Sequence, residues 1–179
     1  MLDGMTRTLL AALAGLAATA ADLPAQSFRR NQPARVVLEA RAPAPITSAP
    51  QTVDIVLSAT PLPGIHVYAP GNADYIPVSV TIFPVEGLAA GTPVFPRAEP
   101  YFFAPLRQSV KVYSRPFVIR VPLKVLPAFA KSREPGPSEV AITGQVDYQS
   151  CDDKVCFPPQ SVPFAVKVPV KLGRESPRR

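Results

Sequence analysis

Cysteine occurs twice in this 179-residue chain, at Cys151 and Cys156, and histidine once, at His66. That scarcity excludes several classes. The disulfide frameworks of small exported domains link distant strands with several bridges, whereas these two cysteines have only four residues between them. Two thiols and one distant imidazole also fall short of a closed zinc set. Both methionines, Met1 and Met5, stand in the first residues, which leaves no thioether in the body of the chain for copper. We therefore expect neither a metal nor any other cofactor.

A hydrophobic run long enough to cross a bilayer is missing as well. Leu9 to Ala18 is apolar but stops short of the ~20 residues a spanning helix needs, and Asp22 ends any extension. With Arg7 before it and small residues after it, the run reads as a secretory signal over residues 1–25, cleaved after Ala20 or Ala25. About 155 residues then remain, enough for one domain with its own core. That domain is expected over 26–173, followed by a basic, disordered tail over 174–179. Concentrated positive charge is lacking too. The net charge of +6 is scattered over Arg97, Arg107, Lys111, Arg120, Lys124 and others, with no stripe interleaved with stacking aromatics. Nucleic acid is therefore not an expected partner, and the charge reads as a solubilising surface.

Long helices are excluded by 24 prolines. What is present instead is a series of short runs of Val, Ile, Thr, Tyr and Phe. Thr52 to Ser58 and Ile76 to Phe83 alternate with period two, the mark of a strand with one buried face. Arg35 to Ala40 reads as a first, edge strand and Ile65 to Tyr68 as a short one. Val110 to Tyr113 and Phe117 to Leu123 read as a strand pair. Lys131 to Ser138 is a polar, proline-rich linker. Glu139 to Gln149 runs straight into the cysteines, and Val162 to Val170 closes the chain. About nine such strands predict an all-β sandwich of short antiparallel strands.

The chemistry concentrates in Cys151-Asp152-Asp153-Lys154-Val155-Cys156, followed by Phe157-Pro158-Pro159. A disulfide here closes a ring of about six residues, worth only ~2 kcal/mol. A tight, exposed ring exchanges readily, so redox chemistry is a better reason for the pair than stability. Thiols of the thioredoxin type are activated at a helix N-terminus, but Pro158 and Pro159 prevent a helix from starting in the usual way after Cys156. Asp152 and Asp153 oppose a thiolate, and Lys154 offsets only part of that. The expectation is a thiol of ordinary or raised pKa, slow with small oxidants and fast inside a docked complex.

The stretch from Tyr148-Gln149-Ser150-Cys151 through Cys156-Phe157-Pro158-Pro159 resembles the active-site segment of the N-terminal periplasmic domain of the thiol:disulfide interchange protein DsbD. Pro63-Gly64-Ile65-His66-Val67-Tyr68 and Val110 to Val121 are similar to further segments of that family. The resemblance spans Arg35 to Lys171, and the cysteines stand one residue closer together than in its enterobacterial form. It implies an immunoglobulin-like β-sandwich and a periplasmic thiol–disulfide oxidoreductase. Such a domain takes two electrons from a membrane-embedded dithiol carrier. It passes them to thioredoxin-like exported proteins, namely disulfide isomerases or cytochrome c maturation factors.

By position, the resemblance implies that Cys156 forms the mixed disulfide and that Cys151 resolves it. It also implies a cap, a short loop carrying a Phe over the cysteines. Tyr101-Phe102-Phe103 occupies the matching region, with Phe103 the favoured ring; the competing reading places these rings in the core. His66 and Tyr68 align with aromatics beside the cysteines, and with Tyr148, Asp152 and Asp153 they are expected to surround the pair. With no membrane helices or thioredoxin-like domain after the sandwich, the chain is expected to act in trans, as a monomer. The alternative is a secreted β-sandwich for binding or assembly with a local structural disulfide.

Overall fold

Period-two alternation builds the strands. In Phe117–Val125, the residues Phe117, Ile119, Val121, Leu123 and Val125 are buried, while Val118, Arg120 and Lys124 between them face solvent. In chain order the strands are β1 (Val36–Arg41), β2 (Gln51–Pro61), β3 (His66–Tyr68), β4 (Ser79–Ile82), β5 (Leu88–Ala90), β6 (Glu99–Phe103), β7 (Gln108–Tyr113) and β8 (Phe117–Val125). A single helical turn, α1 (Pro127–Lys131), separates these from β9 (Gly136–Tyr148), β10 (Ser150–Cys151) and β11 (Gln160–Leu172). This computed structural model describes residues 33–72, 74–104, 107–133 and 136–173. The signal segment expected over 1–25 and the tail expected over 174–179 lie outside the described residues.

The strands form three antiparallel sheets, ordered β1-β2-β8-β5, β10-β3-β7-β6 and β11-β9-β4. All three contribute to one core: Ile55 and Leu57 from β2, Val67 from β3, Tyr113 from β7, Ile119 and Leu123 from β8, Ile142 from β9 and Val168 from β11. Burying each of these side chains is worth about 1.5–3 kcal/mol, and truncating a central one such as Ile119 to Ala would cost about 2–5 kcal/mol. The fold is therefore the expected all-β sandwich. β9 and β10 follow one another with only Gln149 between them, so a strand of 13 residues leads directly to Cys151.

One expected pairing is corrected. Val110–Tyr113 and Phe117–Leu123 do not pair with each other; β7 sits between β3 and β6, and β8 between β2 and β5. Residues 114–116 carry the chain from one sheet to another, and Pro116 cannot donate to a hairpin ladder. Tyr113 and Phe117 instead stack, 4.2 Å apart and 17° from parallel, as part of the core that the two sheets share. Neither β5 nor α1 had a recognisable signal in the sequence. Phe129 of α1 is fully buried and rests against Gly87, where a Cβ would lie 2.5 Å from the Phe129 backbone and where φ is +75°. Only glycine suits that position. Among the described residues no helix is long and apolar enough to cross a membrane.

Candidate functional site

The sheet β10-β3-β7-β6 has two apolar faces. Val67 and Tyr113 point into the main core. Their neighbours Tyr68 and Val112 point the other way, because successive side chains alternate across a strand. With Val110 and Cys151 they form a second, small cluster against which Tyr75 and Tyr101 pack. The cysteine pair thus stands on the outer face of this sheet.

Cys151 and Cys156 form a disulfide with 4.0 Å between their Cα atoms, and they face each other as an isolated antiparallel bridge. Backbone hydrogen bonds close the same hairpin on both sides of them: Asp152 N–H donates to the Val155 carbonyl at 3.0 Å and Phe157 N–H to the Ser150 carbonyl at 2.8 Å. Inside the loop, Asp152 Oδ1 accepts from the N–H groups of Lys154 and Val155, both at 2.8 Å. This is the local turn for which aspartate is suited. Those two donors hold the Asp152 carboxyl below its ordinary pKa. After Cys156 no helix follows; the Arg35 guanidinium lies over the Phe157 ring at 3.6 Å and β11 begins at Gln160.

The two cysteines differ in exposure. Cys151 is 0% exposed, whereas Cys156 is exposed. The Tyr68 hydroxyl lies 3.2 Å from Cys151 Sγ and 3.3 Å from Cys156 Sγ. Disulfide sulfur carries no proton, so the phenol is the donor in either contact. Burial, with Tyr75 beside it, pushes the Tyr68 pKa up to about 12, so it keeps its proton throughout the physiological range. Tyr75 stacks on Tyr68 at 4.1 Å and donates to Gln108 Oε1 at 2.6 Å, which fixes the direction of the Tyr68 ring.

His66 is the cross-strand partner of Cys151. It is only 3% exposed, and its Nε2 is buried with no hydrogen-bond partner among the described residues. Its ring lies 4.2 Å from that of Tyr101 and 6.4 Å, edge-on, from that of Tyr68. Burial lowers the His66 pKa, while Asp153 and then Asp152 pull it back up. Tyr101 donates to Asp153 Oδ1 at 2.8 Å, and that bond raises the phenol pKa.

The structure therefore gathers His66, Tyr68, Tyr101, Asp152 and Asp153 around the pair. Tyr101, Phe102 and Phe103 lie in the edge strand β6, not in a loop, and they alternate: Phe102 is 60% exposed and Phe103 is 4% exposed. Of the three rings, Tyr101 is the one in contact with the cysteine cluster. Tyr148 stands in the main core. Its hydroxyl donates to Gln160 Oε1 at 2.9 Å and accepts from Arg35 N–H at 3.1 Å, so it anchors the strands that present the pair.

Sequence reasoning missed Tyr75, whose place follows from a loop. Asn72 side-chain bonds to Ala69 and Lys111 hold that loop down. It also missed the use of Gln149, which accepts from Ile76 N–H at 3.3 Å and donates to the Phe157 carbonyl at 3.4 Å. The Tyr-Gln-x-Cys run is thus a core anchor, a cross-brace and a buried sulfur in succession. Only the unusual Tyr-Gln pair ahead of a cysteine could have signalled it.

The family described as "Thiol:disulfide interchange protein DsbD, N-terminal" matches residues 34–167, a span that contains both cysteines and every residue gathered around them. Among solved structures, the chain is similar to the N-terminal periplasmic domain of ScsB from Proteus mirabilis. That likeness has 15% identity over 74% of this chain and 44% of that one, with a TM-score of 0.46. This chain therefore spans less than half the length of the ScsB chain. It is also similar to the Neisseria meningitidis DsbD N-terminal domain in its reduced form, at 19% identity over 73% of this chain and 83% of that one, with a TM-score of 0.40. No curated protein matches.

Proposed function

This chain belongs to the family of DsbD N-terminal domains, and on that premise we propose that it is a periplasmic thiol–disulfide oxidoreductase that ferries reducing equivalents through Cys151 and Cys156. One observation carries the reading: Cys151 is buried and Cys156 is an exposed residue, which favours Cys156 as the one a partner reaches. The exposed Cys156, as thiolate, attacks the disulfide of a thioredoxin-like protein. A Cys156–partner bond forms and one partner thiolate leaves. The buried Cys151 then attacks Cys156, and the second partner thiolate is released. The partner gains two electrons and the domain ends oxidised. A membrane-embedded dithiol carrier reverses the change.

The local bonding supports exchange over stapling. Backbone hydrogen bonds already close the hairpin on either side of the pair, so the disulfide adds little the fold lacks. The aromatic cover that family resemblance implies is assigned here to Tyr101, the ring of the three that touches the cysteine cluster.

Trapping tests the reading. Cys151→Ala leaves Cys156 without its resolving partner and is expected to accumulate a mixed disulfide with a thioredoxin-like exported protein. Cys156→Ala is expected to trap far less. Equal trapping by both would reject the order of roles. No trapping by either would leave the secreted binding or assembly domain as the better account.

A further inference from the structure

Resolution of a mixed disulfide needs the Cys151 thiol to lose its proton, yet Cys151 is fully buried, where a thiolate is disfavoured. Something beside it must take that proton. Asp152 is a weak base, since two backbone N–H groups already stabilise its charge. Asp153 accepts the Tyr101 hydroxyl. Tyr68, with its pKa near 12, keeps its own proton. His66 remains. It is the cross-strand partner of Cys151, which places both side chains on one face with Cβ atoms about 4.5–5.5 Å apart. Its Nε2 is a buried polar atom without a partner among the described residues, a state that ordinarily carries a penalty.

We propose that His66 is the proton acceptor for the Cys151 thiol in the resolving step. The inference rests on the exchange reading above. The thiol proton passes to Nε2, and the Cys151 sulfur attacks Cys156 Sγ. The intramolecular S–S bond forms, and the Cys156–partner bond breaks with its electron pair going to the partner sulfur. That thiolate recovers a proton from the imidazolium or from water. The groups facing His66 suit a proton acceptor. The Tyr101 ring from β6 and Tyr68 from β3 exclude water, while Asp153 and Asp152 from the loop favour the imidazolium once formed. Burial works against that charge and keeps the resting ring neutral near pH 7, able to accept.

The reduced protein is mixed with glutathione disulfide, and ring closure is timed across about pH 5 to 8. In wild type, closure is expected to be nearly flat above the His66 titration and to fall as pH drops through it. In His66→Phe, which keeps a ring against Tyr101, the rate should climb about tenfold per pH unit, following the thiol alone, and should lie at least about tenfold below wild type at pH 7. Matching profiles overturn the proposal. A second measurement does not depend on the variant folding. The chain has one histidine, so its imidazole proton resonance is identified without labelling. Its titration is expected to gain a second step on reduction, as Cys151 ionises beside it. Identical curves in the two redox states overturn the proposal, even if client trapping succeeds. Failed trapping with a coupled His66 titration would reject the courier reading alone.

Discussion

Tyr101, in the edge strand β6, donates a 2.8 Å hydrogen bond to Asp153, in the middle of the loop that separates the two cysteines. The residues are 52 positions apart, and their bond ties the tip of the redox hairpin to a different strand. We propose that this bond is a latch, which opening the loop towards a partner would break.

Removing the latch while leaving the ring tests this. Tyr101→Phe keeps the contact with His66 and the apolar cover, and is expected to raise alkylation of the reduced protein several-fold with an unchanged circular dichroism spectrum. Tyr101→Ala removes ring and latch together and should raise it further. Phe102→Ala, at an exposed position, should change neither. Phe103→Ala should instead lower stability by about 3 kcal/mol, because that ring is buried. If Tyr101→Phe reacts at the wild-type rate, the loop is held by something else.

Reduction of the disulfide should hardly alter stability. The ring is small and the chain-entropy effect is about 2 kcal/mol at most, while the main core contains neither cysteine. Thermal melts of the oxidised and reduced forms are expected within a few degrees of each other. A collapse of the fold on reduction would instead make the bridge structural.

The Tyr68 hydroxyl contacts both sulfurs and stays protonated to about pH 12, so it can donate to a thiolate. Tyr68→Phe retains the stack on Tyr75 and is expected to raise the Cys156 thiol pKa by about one unit, the worth of one hydrogen bond to a charged group. Ultraviolet titration of the thiolate in a Cys151→Ala background reads this directly. An unchanged value would show that the hydroxyl serves only the oxidised state.

For Asp152 the sign of the pH effect can be worked out. Its carboxyl titrates lower in the folded chain than its ordinary value of 3.8, so its support of the loop is complete above 3.8 and is lost as pH falls through the lower folded value. Hydrogen exchange of the Lys154 and Val155 amides should show several-fold protection in wild type above that window and a loss of it below. Asp152→Ala should lack the protection at every pH, and Asp152→Asn should keep part of it. Equal protection in the alanine variant would mean that the backbone alone shapes the loop.

The sequence was most legible where a signal is local. The cysteine spacing, the alternation in Thr52–Ser58 and the proline stop after Cys156 each depend on near neighbours, and each has its counterpart in the fold, save that Val56 is buried on the face the alternation leaves open. Pairing partners depend on distant residues. Val110–Tyr113 and Phe117–Leu123 resemble a hairpin because they are adjacent in the chain, but a short crossover sends them to separate sheets. Tyr101 to Phe103 carry strong strand propensity, yet only the pairing of β6 with β7 turns Tyr101 and Phe103 to one face and Phe102 to the other, with Tyr101 against the cysteine cluster. Tyr75 has no local mark, since its stacking on Tyr68 comes from a loop fastened by Asn72.

On β3 and β7, neighbouring positions serve different masters: Val67 and Tyr113 hold the sandwich together, while Tyr68 and Val112 attend to the sulfurs. Yet Tyr68 and Val112 are themselves fully buried, so any change to the face that meets the sulfurs is also a change to stability, and exchange and melting have to be measured together on every variant.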